Sequence, residues 1–188
     1  MSLNLAEIEK EMAKLKTPIV HGFVVALAGS VLMLILIALR LIGPKAIVLE
    51  TEMTGGTILF LMLYLFLLFA IYFAIKKKKD ALGRSIKFKE AAIQGLTVSI
   101  ATAVFSVIFT VIFYELLYPT YVAETIDALK IKMEITGVPE DKLNEKLEER
   151  KAYLSTSSQS LYSFVGNLIT GVAFTLLLSF FLKSSTKK

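Results

Sequence analysis

Four long apolar stretches restrict the folds open to this chain of 188 residues more than any other feature. Each is close to the roughly 20 residues that an α-helix needs to cross about 30 Å of hydrocarbon. Hydrophobic residues make up 55% of the chain, which exceeds what the core of a soluble domain of this size can bury. We therefore predict an all-α fold, an integral membrane four-helix bundle that forms a single membrane domain. The predicted spans are residues 18–42, 55–75, 89–118 and 160–182.

The connection between the second and third predicted spans is strongly basic, because residues 76–90 contain seven Lys or Arg. Basic residues close to a span stay on the cytoplasmic side, so this pattern predicts that the connection and both termini are cytoplasmic. The alternative role for the cluster is to bind an acidic lipid headgroup. No nucleic-acid partner is expected, since no recognition motif accompanies the charge. The basic cluster consists of Lys76, Lys77, Lys78, Lys79, Arg84, Lys87 and Lys89.

Small residues recur at every fourth position in three of the four predicted spans. Such side chains let helix backbones come into van der Waals contact, which replaces the hydrophobic drive that lipid removes. The second span is rich in Leu and Phe, and it is predicted to face lipid or an apolar partner. The predicted packing residues are Gly22, Ala26 and Ser30 in the first span, Ala91, Gly95, Ser99 and Ala103 in the third, and Ser163, Asn167 and Gly171 in the fourth.

The residues before the first span form a separate pattern. Asn4 stands three residues before Glu7 as in a capping box, and apolar residues follow at helical spacing. We therefore predict a short amphipathic helix over residues 5–16, lying on the membrane surface. Thr17 is predicted to cap the first span, with Pro18 at its first helical position.

The 120–154 segment predicts an extramembrane helical hairpin. Gly137 is a natural helix end, and Pro139 followed by acidic residues is a natural helix beginning. Two interpretations remain open: the hairpin docks on a partner protein, or both of its helices lie flat on lipid. Apolar residues on the far face of the first helix favour docking, since a simple hairpin would not bury them. The predicted docking residues are Ile126, Leu129, Ile131, Ile135, Leu143 and Leu147.

Chemistry-bearing residues are sparse. The chain has no cysteine, and His21 is its one histidine, placed one turn into the first span. His21 could titrate or bind metal, but an isolated histidine near an interface is usually hydrogen-bonded. Glu115 closes the third span among tyrosines, where a carboxylate is usually solvated or paired. No phosphate loop, dinucleotide fingerprint, hydrolase elbow or zincin motif occurs, so we predict no cofactor, no metal site and no catalytic residue.

The chain resembles a family of small four-span proteins of Bacteroidetes catalogued as a domain of unknown function. The resemblance covers the stretch from "SIKFKEAAIQG" through "YELLYPTYV", then "GVPEDKLNEKLEERK" and the last span before a lysine tail. It implies a multi-pass protein of the bacterial inner membrane, and it brings no catalytic residues. The residues that carry it are Phe88, Ala91, Gly95, Pro119 and Gly137.

These observations lead to one functional hypothesis and two alternatives. The hypothesis is an accessory or scaffold subunit that packs through spans one, three and four against a larger membrane protein or a second copy, without chemistry of its own. The first alternative is a small oligomeric channel or transporter. Against it, the mid-span polar groups are Ser, Thr and Asn167, with Gln94 near one end, rather than ionisable residues. A membrane-embedded enzyme is the third possibility.

Overall fold

The computed structural model of the protein describes the backbone of residues 5–184 and the side chains of residues 15–140 and 142–184. Within residues 5–184 the chain forms seven α-helices and one π-helical turn, without strands. Four helices are long and apolar enough to cross a membrane, so the prediction of an all-α fold with four spans is confirmed. The helices are α1 (Leu5–Ala38), α2 (Pro44–Leu49), α3 (Glu52–Ala81), α4 (Phe88–Ile112), α5 (Tyr121–Ile135), α6 (Glu140–Leu154) and α7 (Thr156–Leu182), and the π-helical turn is Phe113–Leu117.

Helix α1 continues through Pro18, where the sequence predicted a helix start. Proline removes one amide donor from a helix, but a long apolar helix tolerates this when neighbouring groups satisfy the freed carbonyl. The Pro18 ring is fully buried, so packing offsets part of the cost. The amphipathic helix predicted over residues 5–16 is therefore the first part of α1. Asn4 lies outside the described residues, as do the side chains of residues 5–14.

Helix α2 was not predicted, because the sequence places residues 43–54 in the connection between the first two predicted spans. In the structure Gly43 and Pro44 begin a helix: Gly43 has φ +86°, a backbone conformation that favours glycine, and Pro44 occupies the first helical turn. Helix α2 buries Ala46 and Ile47 and packs against α5. The connection between the first two spans is therefore a docked helix.

Contacts divide the chain into two compact units. We call Met1–Leu27, Tyr64–Phe105 and Val165–Lys188 the terminal unit, and Ala28–Leu63 and Ser106–Phe164 the connection unit. The core of the terminal unit is aliphatic, and its largest fully buried side chains include Leu67, Ile71 and Ile75 of α3. Because α3 is one of the four spans, these side chains stabilise the fold through close packing rather than through transfer out of water.

The connection unit has an aromatic core at the end of α4. Phe113, Tyr114 and Tyr121 are buried there, with Met33 and Ile37 of α1 packed against them. The π-helical turn brings these rings together, since the Tyr118 amide donates to the Phe113 carbonyl at 2.8 Å, five residues back. The Phe113 and Tyr121 rings meet edge to face with centroids 5.2 Å apart.

The segment after this turn forms the predicted helical hairpin. Helices α5 and α6 pack against each other, and the chain turns between them at Gly137, which has φ +72°. Leu143 and Leu147 of α6 are buried. Helix α5 therefore packs against both α6 and α2.

Candidate functional site

Helix α5 is attached at both of its ends to the ends of membrane spans. At its start, the Tyr121 ring packs in the aromatic core and faces Gly43, where an added Cβ would lie 3.1 Å from the ring. Near its end, Lys132 Nζ donates to Glu52 Oε1 at 2.7 Å and lies 3.9 Å from Glu50 Oε1. Glu52 is the first residue of α3. Helix α5 therefore lies across the span ends rather than projecting away from them.

A hydrogen-bond cluster fixes the first turn of α5. The Tyr118 hydroxyl donates to Glu124 Oε2 at 2.5 Å, and Thr120 Oγ1 donates to Glu124 Oε1 at 2.6 Å. The hydrogen bonds from Thr120 and Tyr118 lower the pKa of Glu124. The same carboxylate, as acceptor, raises the pKa of Tyr118 to about 12, and burial raises the pKa of Tyr121. Both carboxylate oxygens of Glu124 are thus already engaged.

A groove runs between α2 and α5, and we call it the α2–α5 groove. It consists of a cavity of about 470 Å³ and an adjacent cavity of about 200 Å³, which share Val48, Ala128 and Ile131 as lining residues. The larger volume falls within the range of about 300–1,000 Å³ that is usual for ligand sites. The apolar side chains are open to a ligand, since Val48 is 62% and Ile131 is 52% exposed.

Charged side chains surround the larger cavity. Arg40 and Lys45 line it from the α1–α2 connection and α2, and Glu124 and Asp127 line it from α5. Arg40 is held in a left-handed conformation (φ 59°), which non-glycine residues seldom adopt. Thr51 Oγ1 donates to the Arg40 carbonyl at 2.6 Å and so holds this turn. The cavity is therefore apolar, with two cations and two carboxylates around it.

The structure divides the six predicted docking residues into two groups. Leu143 and Leu147 are buried, while Ile126 and Leu129 are half-buried. Ile131 and Ile135 are exposed, the latter at 81%, and both line the α2–α5 groove. The far face of α5 that the sequence singled out is therefore one wall of a groove. Sequence reasoning missed the other wall because it did not predict α2.

The two polar candidates have hydrogen-bond partners. His21 is half-buried, and its Nδ1 lies 2.7 Å from the Thr17 carbonyl, one helical turn back. A carbonyl only accepts, so Nδ1 carries the proton in this arrangement. Glu115 is exposed within the π-helical turn, and Thr156 Oγ1 donates to its Oε1 at 2.6 Å. Glu115 thus links the end of α4 to the first residue of α7.

The basic cluster is mostly exposed, but α3 extends through the lysine run to Ala81. Lys79 Nζ donates to the Leu182 carbonyl at 2.8 Å and so caps the last turn of α7. Ile86 and Ser184 exchange two hydrogen bonds, which attach the chain after α7 to the basic connection. Lys76, Lys77, Arg84, Lys87 and Lys89 are exposed, and Lys78 and Lys79 are half-buried.

Most predicted packing residues lie at contacts within the terminal unit. A Cβ on Gly22 of α1 would lie 2.6 Å from Ala101 Cβ and 2.7 Å from the Val98 carbonyl oxygen of α4. A Cβ on Gly95 would lie 2.5 Å from Thr175 Oγ1, and Gly171 faces Ser99 in the same way. The buried members are Gly22, Ala26, Ala91, Gly95, Ser99, Ala103 and Gly171, and the half-buried ones are Ser30, Ser163 and Asn167.

Helix α7 has a second face that sequence reasoning missed. Gly171, Thr175 and Ser179 are buried on one side of the helix. The opposite side, which we call the open face of α7, is exposed along its length, and a Cβ on Gly166 would meet nothing within 4 Å. A heptad pattern of spacing three and four would have revealed it in the sequence. The open face consists of Gly166, Ile169, Ala173, Leu176 and Phe180.

One protein family matches most of the chain. A family model described as "Protein of unknown function (DUF4199)" matches residues 21–184. No curated protein and no solved structure matches the chain. The matched region includes all of the α2–α5 groove and the open face of α7, and it begins inside α1 at His21.

Proposed function

The chain belongs to the DUF4199 family, and we propose that it is an accessory or scaffold subunit that packs against another membrane protein or against a second copy of itself. Four long apolar helices make it a multi-pass membrane protein. In this proposal the chain performs no reaction, and its transmembrane surface is the functional site. The partner is defined by chemistry: it offers a transmembrane helix with its own small or apolar seam.

The open face of α7 carries the proposal. Of the most apolar window in this helix, 17% is buried, against 33% in α4. Two of the exposed positions, Gly166 and Ala173, are small and seven residues apart. A lipid-facing surface has no need of small residues, whereas a helix–helix contact in a membrane does.

The sequence hypothesis relied on the stripes of spans one, three and four, but most of those residues already have contacts inside the chain. Gly22, Gly95 and Gly171 each face a neighbouring helix at a distance that leaves no room for another. A partner therefore needs a different surface. The exposed heptad seam of α7 is that surface, with Ile169 at 65% and Phe180 at 59% exposure.

Single cysteine variants test the proposal directly, because the natural chain contains no cysteine. Ile169→Cys lies in the middle of the open face, and Ile100→Cys on α4 is a matched control with 52% exposure. A photoactivatable crosslinker attached to the new thiol should give a discrete protein adduct in native membranes with the first variant and none with the second. Mass spectrometry of the adduct distinguishes a second copy from a larger protein. Equal crosslinking at both positions, or no adduct at Ile169→Cys, would contradict the proposal.

Residence in the inner membrane of a bacterium, with both termini cytoplasmic, is part of the same proposal. It is supported by the mostly exposed basic cluster from the end of α3 to the start of α4, which favours the cytoplasmic side. A Bacteroidetes source is supported by the sequence resemblance alone. Reporter fusions near residues 80 and 145 test the orientation. A periplasmic signal near residue 80 would reverse it.

A further inference from the structure

We propose that the α2–α5 groove binds one phospholipid molecule that carries both a phosphate and a primary ammonium group, as in phosphatidylethanolamine. The groove shares no residue with the open face of α7, so this proposal does not rest on the proposed partner. Its ligand class follows from three properties of the groove: its position at the span ends, its apolar lining and its paired opposite charges.

The position of the groove matches the depth of lipid headgroups. The α1 span ends at Ala38 and the α3 span begins at Glu52, so α2 and its connections lie between two membrane crossings. Helix α5 is attached to the same level by the Lys132–Glu52 ion pair and by Tyr121 in the aromatic core. A groove between these two helices therefore opens where the bilayer supplies phospholipid, rather than in bulk water.

The cationic side of the groove suits a phosphate. Arg40 and Lys45 both line the larger cavity, Arg40 from the connection after the α1 span and Lys45 from α2. An arginine guanidinium offers a planar pair of donors that matches phosphate oxygens. The left-handed backbone of Arg40, held by Thr51, fixes where this side chain starts. This conformation also ends α1, since the Leu41 amide donates to the Leu36 carbonyl at 2.8 Å.

The acidic side of the groove suits an ammonium group. Glu124 and Asp127 line the same cavity, but the two oxygens of Glu124 already accept hydrogen bonds from Tyr118 and Thr120. Asp127 is exposed and is the remaining carboxylate of the cavity. A primary ammonium donates hydrogen bonds to a carboxylate, whereas a quaternary ammonium has no N–H to donate. With two cations and two carboxylates, the site fits a zwitterion better than a purely anionic lipid.

The apolar lining completes the match. Val48, Leu49 and Ile131 are each more than half exposed along the groove. An acyl chain would cover them, and it would extend toward Ile135 in the adjacent cavity. A soluble metabolite of similar charge would leave these side chains in water. A peptide partner would cover them too, but its binding would not depend on the lipid headgroup.

Native mass spectrometry of the purified full-length protein tests the proposal. Delipidated protein is mixed with equal amounts of phosphatidylethanolamine, phosphatidylcholine and phosphatidylglycerol that have identical acyl chains. We expect a one-to-one adduct enriched about tenfold in phosphatidylethanolamine, as loss of one charge-assisted hydrogen bond would produce. Equal retention of the three lipids, or preference for phosphatidylglycerol, would overturn the proposal. Because this comparison uses the unaltered chain, it does not depend on whether any variant folds.

Two variants assign the headgroup contacts. Asp127→Asn should reduce the preference for phosphatidylethanolamine over phosphatidylcholine to about one while leaving phosphatidylcholine binding unchanged. Arg40→Gln combined with Lys45→Gln should weaken the binding of all three lipids by about tenfold or more. Glu134→Gln is the matched control, since Glu134 lies on α5 outside the groove and pairs with Lys130 at 4.0 Å. If Asp127→Asn keeps the headgroup preference, or Glu134→Gln loses it, the assignment is wrong.

Discussion

The terminal unit and the connection unit are stabilised by different kinds of interaction. In the terminal unit, glycines and small hydroxyl residues let helices approach until backbone and side-chain atoms touch, as at Gly22 and Gly95. In the connection unit, aromatic rings and charged hydrogen bonds hold α5 in place, as at Tyr121 and Glu124. The terminal unit should therefore be sensitive to side-chain volume, and the connection unit to protonation.

This difference also separates two uses of small residues. Gly95 and Gly171 face atoms of a neighbouring helix, whereas Gly166 faces open space. The sequence predicted packing for Gly95 and Gly171 but not for Gly166. Gly95 and Gly171 therefore make their close approaches within the chain, and under the proposed function Gly166 makes its close approach to a partner.

The largest loss of stability is expected from substitution of Gly22. Its neighbours across the contact include the Val98 carbonyl oxygen at 2.7 Å and the Thr102 amide nitrogen at 2.8 Å, which cannot move without shifting α4. Gly22→Leu should therefore destabilise the protein by at least about 3 kcal/mol, at or beyond the upper end of ordinary overpacking. Thermal or denaturant unfolding in mild detergent measures this. An unchanged midpoint would show that α1 and α4 are not in close contact.

A smaller loss of stability is expected from substitution of Gly95, because the atoms that it faces belong to the Thr175 side chain. A side chain can rotate where a backbone cannot, so Gly95→Leu should cost about 1–3 kcal/mol. Combining it with Thr175→Ala should recover part of this loss. If the double variant is no more stable than the single variant, the contact between α4 and α7 is not the cause.

Acid should loosen α5 by protonating Glu124. The pKa of this carboxylate is lowered from its ordinary value of 4.5, so its contribution to stability is present above pH 4.5 and is lost as the pH falls through the lower folded value. We expect α5 amides of the natural chain to be better protected from hydrogen exchange than those of Glu124→Gln at neutral pH. The difference should shrink below pH 4.5. A difference independent of pH would exclude Glu124 as the cause.

The smallest effect on folding is expected at Gly166. Gly166→Ala adds a methyl group where no atom lies within 4 Å. Because alanine has the better helix propensity, stability in detergent should rise by at most about 1 kcal/mol. Gly166→Leu should likewise leave unfolding nearly unchanged. The same leucine should abolish the crosslink at Ile169→Cys in membranes. Loss of stability in detergent would instead place Gly166 at an internal contact.

The four spans were predictable because length and hydropathy alone decide whether a helix can cross a bilayer. Helix α2 was not, because the six residues from Pro44 to Leu49 carry no periodic signal, and packing on α5 decides their structure. The predicted helix start at Pro18 was wrong for a related reason. Proline prefers the first position of a helix, but burial of the Pro18 ring outweighed this local preference. The groove depends on both walls, so it became visible only with α2 in place.

The number of residues in the π-helical turn at Phe113–Leu117 directly affects the direction of α5. This turn holds one residue more than an α-helical turn, since its closing hydrogen bond joins Tyr118 to Phe113. Deleting a single residue there would restore ordinary helix and rotate all that follows by about 100°. Members of the family that differ by one residue at this point would aim the hairpin elsewhere, even with every side chain of the groove retained.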